Sequence, residues 1–345
     1  MKIFFFFIFL LSSISFLHAT EFEGFIDSYY AYDLLRPKNL DRAYVTSSAR
    51  HNEFNINLAH ISAKIENENN RGRLALQYGT SVQSNYAGEP TIGAVSGASL
   101  TRNIQEAYIG QKVGESAWLE AGIFSSYIGA ESFTSKQNPT YTRSMVAEFS
   151  PYFQAGVRAS FAVSDRFSYR LLVLNGWQNI SENNKDKALG IQLAYKFEND
   201  WQLTYNNFLG QESGLRNFHD FILTKNSGDT NWILQADIGY QSRKARSSAT
   251  WFGAALIFQK QFSLISSLSL RAEVFNDTNA VVAMPISSGS FQVLGASINF
   301  DRHLSKVCVW RSELKGLHAQ DKIFPSHSSP EKTDTLLVTS LALTL

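Results

Sequence analysis

The chain has 345 residues, a single cysteine (Cys308) and nearly balanced charge, with 31 Lys and Arg against 30 Asp and Glu. One thiol excludes an intramolecular disulfide and a cysteine-based metal cluster, and without a basic run there is no footprint for nucleic acid. Mean hydropathy is slightly negative, −0.16, so a membrane role would require a closed barrel, in which only alternate residues need be apolar.

The N-terminus comes first. Met1-Lys2 is a short basic start, Ile3 to Phe16 is almost wholly apolar, and Leu17-His18-Ala19 precedes the polar Thr20-Glu21-Phe22-Glu23. This layout predicts a secretory signal peptide over 1–19, cleaved after Ala19. The apolar run falls short of the roughly 20 residues a spanning helix needs. Removing it takes away Lys2 and leaves 30 basic against 30 acidic residues in 20–345. No Pro- or Ser-rich linker divides that remainder, which reads as one domain.

From there the dominant signal has period two. Phe153, Ala155, Val157, Ala159, Phe161 and Val163 alternate with Gln154, Gly156, Arg158 and Ser160, and the same alternation marks 188–197, 231–241 and 333–345. In chain order the expected strands are 22–32, 53–66, 71–79, 103–113, 117–125, 152–163, 167–177, 188–197, 201–209, 218–225, 231–241, 251–260, 264–276, 290–300, 304–315 and 333–345. Most approach the roughly 9–11 residues of a tilted membrane strand. In 53–66 the apolar face switches parity, which calls for a bulge near Ala59.

Connections after even strands are short (67–70, 114–116, 164–166, 198–200, 301–303), whereas those after odd strands tend to be long (33–52, 80–102, 126–151, 178–187, 277–289, 316–332). Short periplasmic turns alternating with long outer loops mark outer-membrane barrels. Aromatic girdles are expected from Phe167, Phe197, Trp201, Trp232 and Phe300 at one end, and from Tyr78, Tyr240 and Trp251 at the other. The predicted architecture is an all-β, antiparallel up-and-down transmembrane barrel of about 16 strands.

Several stretches resemble the OmpL-like β-barrel outer-membrane porin family: Gly24-Phe25-Ile26-Asp27-Ser28-Tyr29-Tyr30-Ala31-Tyr32-Asp33, Gly122-Ile123-Phe124 with Ile128-Gly129-Ala130-Glu131, then Asn138, Tyr141, Arg143 and Ser144, Pro151-Tyr152-Phe153, Gly156-Val157, Asn175-Gly176-Trp177, and Leu270-Arg271-Ala272-Glu273-Val274-Phe275 with Asp277. The resemblance covers most of 20–345 and implies a porin-like barrel in the outer membrane of a Gram-negative bacterium. It departs at the end: many such barrels finish in Phe or Trp, read by the barrel-insertion machinery, whereas this chain ends Leu343-Thr344-Leu345.

The polar parity would line a lumen with Glu106, Lys112, Arg158, Arg170, Lys196, Asp237, Arg271, Glu273, Arg311, Glu313 and Lys315, serving either as pore charges or as bridges tying the wall together. Arg271 and Glu273, like Arg311 and Glu313, sit at i and i+2 on one strand face. The longest outer loop, 126–151, is the candidate constriction and carries Glu131, Lys136 and Arg143.

No catalytic residues, metal ligands or cofactor are expected. His219 and Asp220 should face opposite sides of a strand, and no Gly-x-Ser-x-Gly elbow occurs. The leading reading is a porin passing small hydrophilic solutes and ions by diffusion, embedded in outer-membrane lipid, with a homotrimer expected by analogy with general porins. A substrate-selective channel and a structural or adhesive barrel with a plugged lumen are the alternatives.

Overall fold

The computed structural model describes residues 20–244, 246–287 and 289–345, so the expected leader over 1–19 lies outside the described residues. Sixteen strands run in chain order: β1 (Thr20–Asp33), β2 (Phe54–Glu66), β3 (Asn70–Tyr78), β4 (Ile104–Lys112), β5 (Ala117–Ser125), β6 (Phe153–Ala162), β7 (Phe167–Leu174), β8 (Ala188–Lys196), β9 (Trp201–Gln211), β10 (Leu215–Ser227), β11 (Thr230–Gln241), β12 (Ala249–Ser263), β13 (Ser266–Asp277), β14 (Phe291–His303), β15 (Cys308–Ala319) and β16 (Thr333–Thr344). Each pairs antiparallel with its neighbours in sequence, and β1 closes the barrel on β16, with Tyr29 opposite Ser340. Closure leaves no strand edge, the condition for a sheet to live in lipid.

Alternation explains why these segments become this wall. Leu74, Ile109, Leu119, Leu171, Leu294 and Leu337 face outward and are 44–77% exposed, forming an apolar belt suited to hydrocarbon. The intervening residues point inward. Among the described residues no helix is long and apolar enough to cross a membrane.

Loop lengths sort by parity as expected. Connections after even strands hold two to four residues, and those after odd strands are long except for the hairpin 212–214 and the modest 242–248. The expected strand 218–225 is part of the longer β10.

The bulge in β2 lies slightly before its expected place. Asp27 pairs with Leu58 and Ser28 with Ile56, which leaves Asn57 as the extra residue. Phe54 therefore stays outward at 88% exposure, whereas Leu58 turns inward and is fully buried. Two family-like glycines, Gly122 and Gly156, lie opposite each other in the β5–β6 register. At Gly122 (φ +137°) a Cβ would sit 2.1 Å from the carbonyl oxygen of Ala107, so only glycine fits.

One girdle expectation needs correction. Tyr78 and Tyr240 face outward and are well exposed, but Trp251 is 1% exposed and turned into the lumen. Phe252 takes the outward position on β12, and the Trp251 ring fills the space left by Gly239, where a Cβ would meet Cζ2 at 2.0 Å.

Candidate functional site: the barrel lumen

A barrel of about 16 strands is too wide for wall side chains alone to fill. Here the loops do much of the filling. The connection 126–152 turns inward at its start: Ile128 N–H donates to Ser126 Oγ (3.1 Å), and Gly129 takes φ +92°. Its first limb reaches across to β8–β11, where the Tyr127 hydroxyl donates to the Asn207 carbonyl (2.6 Å). Gly129 N–H donates to Asp220 (2.8 Å) and Ala130 N–H to Gln235 (3.0 Å).

The loop then swings to β1 and back along β15–β13. Ser135, in a 3₁₀ turn (Ser135–Gln137), donates its hydroxyl to Asp27 (2.7 Å). Tyr141 N–H donates to Asn299 (3.1 Å), Thr142 N–H to Glu313 (2.6 Å) and Met145 N–H to Glu273 (2.5 Å). Met145 opens the single-turn helix α1 (Met145–Glu148), whose Ser144 cap accepts from Ala147 N–H. Above this level the loop joins an apolar plug. Phe149 packs against Phe275 and Phe291, and Trp177 sets its edge on Phe208 and Phe218.

Buried charge holds the clamp. The Arg271 guanidinium lies 3.1 Å from Glu313, 3.4 Å from Glu273 and 3.8 Å from Glu131, and it donates to the Thr142 carbonyl (2.6 Å). Lys315 bridges Glu273 (3.3 Å) and the Arg143 carbonyl (2.9 Å). Arg311 pairs with Asp301 (2.8 Å) and donates to the loop carbonyls of Ser135, Asn138 and Pro139. Burial pushes the Glu131 carboxyl above the usual range, opposed by Arg271 and by hydrogen bonds from Ser144.

The expected pore charges thus divide into two groups. Arg271, Glu273, Arg311, Glu313 and Lys315 face inward at 1–6% exposure; all but Arg311 are covered by the inserted loop, and Arg311 with Asp301 borders a cavity of about 230 Å³. Asp237 is similarly covered at 5%, opposite Asp220 in the β10–β11 register. The reason is the loop's backbone, whose N–H groups need acceptors wherever water is excluded.

The second group lies clear of the inserted loop. Arg158 holds Glu120 (2.6 Å) and stacks over Phe124 and Tyr108, while Glu106 accepts from Ser125 and pairs with Arg73 (3.2 Å). Arg170 and Lys196 border a cavity of about 420 Å³ near the short-turn end, with Gln192, Thr204 and Thr224. Lys112 ends β4 on the same inward parity. Of the loop residues, Glu131 and Arg143 are buried and border a cavity of about 260 Å³ between the loop's two limbs, and Lys136 is exposed and donates to Thr344.

Sequence reading missed Asp27 and Asp220, the acids that seat the loop, Asp301, which pairs with Arg311, and Arg71, Arg73 and Glu120 on the wall clear of the loop. The alternation of β3, with Arg71 and Arg73 opposite in parity to Leu74 and Leu76, carried that signal. His219 and Asp220 do point apart: Asp220 is fully buried, and His219 meets the Tyr205 hydroxyl at 2.7 Å. Among the described residues no cluster of three or more His, Cys, Asp or Glu side chains is placed to hold a metal.

A closed sixteen-strand barrel with short turns at one end and an inward-folded third loop is the architecture of an outer-membrane porin. Residues 19–345 match the family described as "Putative beta-barrel porin-2, OmpL-like", and the chain belongs to that family. No curated protein matches the sequence. Solved structures share the fold at low identity. The outer membrane channel DcaP of Acinetobacter baumannii is 10% identical with a TM-score of 0.62, over 94% of this chain and 97% of that one. An anion-selective porin from Comamonas acidovorans is 9% identical with a TM-score of 0.59, over 95% and 99%. OmpT of Vibrio cholerae in its trimer form is 6% identical with a TM-score of 0.59, over 95% and 99%. The protein is an outer-membrane porin.

Proposed function

We propose that small hydrophilic solutes and ions cross by diffusion along the half of the lumen that the inserted loop leaves accessible, beside β3–β8. The observation that carries this reading is the contrast in burial. Arg170 and Lys196 face water, whereas Arg271, Glu273, Glu313 and Lys315 on β13 and β15 are sealed beneath the loop. Cavities supply the steps: one near the long-loop end with Tyr152 in its lining, one between the loop's limbs that shares Tyr152, and the short-turn cavity that shares Gly129 and Ala130 with the second. Volumes of about 260–420 Å³ suit small solutes and give the route a narrow bore.

Export uses a leader over 1–19, and the mature barrel assembles as a homotrimer in outer-membrane lipid. An outward apolar groove of about 580 Å³, with Gly72 and Ala121 between Ile65, Ile109, Leu119 and Val157, gives a second copy a surface to pack against. The passage is tested by planar-bilayer recording of the folded barrel. Stepwise conductance rising with salt is expected, and silence from a barrel shown to be folded would contradict it.

A further inference from the structure

The wall charges are unevenly divided, and the unevenness bears on what crosses. Inward positions from β3 to β8 carry Arg71, Arg73, Lys112, Arg158, Arg170 and Lys196 against only Glu106 and Glu120. Both acids are consumed locally. Glu120 is 1% exposed between Arg71 (2.9 Å) and Arg158 (2.6 Å), and Glu106 is 9% exposed against Arg73 and Ser125. Arg170, by contrast, is exposed, borders the short-turn cavity and has no carboxylate within ion-pair distance among the described residues.

Acids do line the route, Glu148 and Glu131 in its first two cavities and Asp165 in the short-turn one, but there Arg166, Arg170 and Lys196 outnumber Asp165. From β10 round to β1 several of the buried acids accept N–H groups of the loops: Asp220 holds Gly129, Glu313 holds Thr142, and Asp277 takes the N–H groups of Val281, Val282 and Ala283. A charge beneath protein and already hydrogen-bonded contributes little potential to a watery passage, whereas an uncovered guanidinium at its edge contributes fully over a Debye length of roughly 8–10 Å.

We infer that this porin prefers small anions, and that Arg170 is a specificity-determining residue of its passage. The inference rests on the proposed route beside β3–β8. Anions are drawn to the basic strip and cations repelled, a bias in permeability without a tight binding site. Arg170, like Lys112 and Lys196 and unlike Arg71, Arg73 and Arg158, forms no ion pair among the described residues, so it can be changed without stranding a partner.

The test is the reversal potential of the full barrel in a planar bilayer under a KCl gradient, for the parent protein and for Arg170→Glu. The parent is expected to pass chloride over potassium, and R170E to lower that ratio by roughly threefold or more, as two charge units a few ångströms from a hydrated path would in salt. Lys196→Glu should lower it further in the same direction, and it reports independently should R170E fail to fold. A conducting parent that prefers potassium, or a ratio unmoved by both changes, overturns the anion inference and leaves the porin reading standing. A folded barrel without conductance overturns the route itself.

Discussion

On β13 and β15 a lumen carboxylate meets the backbone of the inserted loop; on β4 and β5 it meets an arginine of the wall. Glu273 and Glu313 take the N–H groups of Met145 and Thr142, and Arg271 and Lys315 close the cluster around them. Glu106 and Glu120 instead lie among Arg73, Arg71 and Arg158, with the loop present only at its root. The same residue types on the same alternating pattern thus do two jobs. Where a loop covers them they become a structural clamp, and where none does they pair with the arginines of the wall.

The sharpest way to break the comparison is to open the clamp. Arg271→Met leaves Glu313 and Glu273 short of a cation in a dry site, and removing one partner of a buried ionic cluster costs about 3–5 kcal/mol. Urea unfolding from lipid vesicles should show that loss, and surviving channels should conduct more as the loop loosens. Unchanged stability would mean that the loop is held elsewhere.

The parity of the wall is tested next. Ala159 faces outward between Leu119 and Leu171, and Ser160 faces inward between Trp118 and Arg170. Ala159→Arg should cost about 2–4 kcal/mol at the bilayer midplane, whereas Ser160→Arg should chiefly alter conductance. Equal losses would refute the assignment of the two faces. A smaller effect is expected from Gly239→Ala, whose methyl meets the Trp251 ring; overpacking of this kind costs about 1–3 kcal/mol. Pairing it with Trp251→Phe should recover part of that loss, and no recovery would place the strain outside the ring.

The fold was legible because lipid imposes a simple code. Alternation in 188–197 and 231–241 located β8 and β11, and loop lengths separated the two ends. The bulge of β2 was visible as a parity switch, although its position at Asn57 depended on pairing with β1. The site was only half legible. Alternation placed Arg271, Arg311 and Glu313 inward but carried no information on what would cover them, because that depends on the path of a loop whose anchors lie far away in sequence, such as Asp27 for Ser135 and Asp220 for Gly129. Trp251 was misplaced for the same reason: at a strand end, girdle and plug positions look alike until the glycine opposite is known.

The division of the lumen by the loop into a sealed half and a wet half is what separates the two regions. It is tested most directly by thiol accessibility in a Cys308→Ser background, with one cysteine at a time replacing Ser160 or Ser269. Ser160 lies beside Arg170 on the accessible wall, whereas Ser269 is fully buried and donates to the Pro139 carbonyl at 2.6 Å. A charged thiol reagent applied to the conducting channel is expected to modify the Ser160→Cys protein quickly, with a step in current, and to leave the Ser269→Cys protein unmodified. Comparable rates at the two positions would contradict the account.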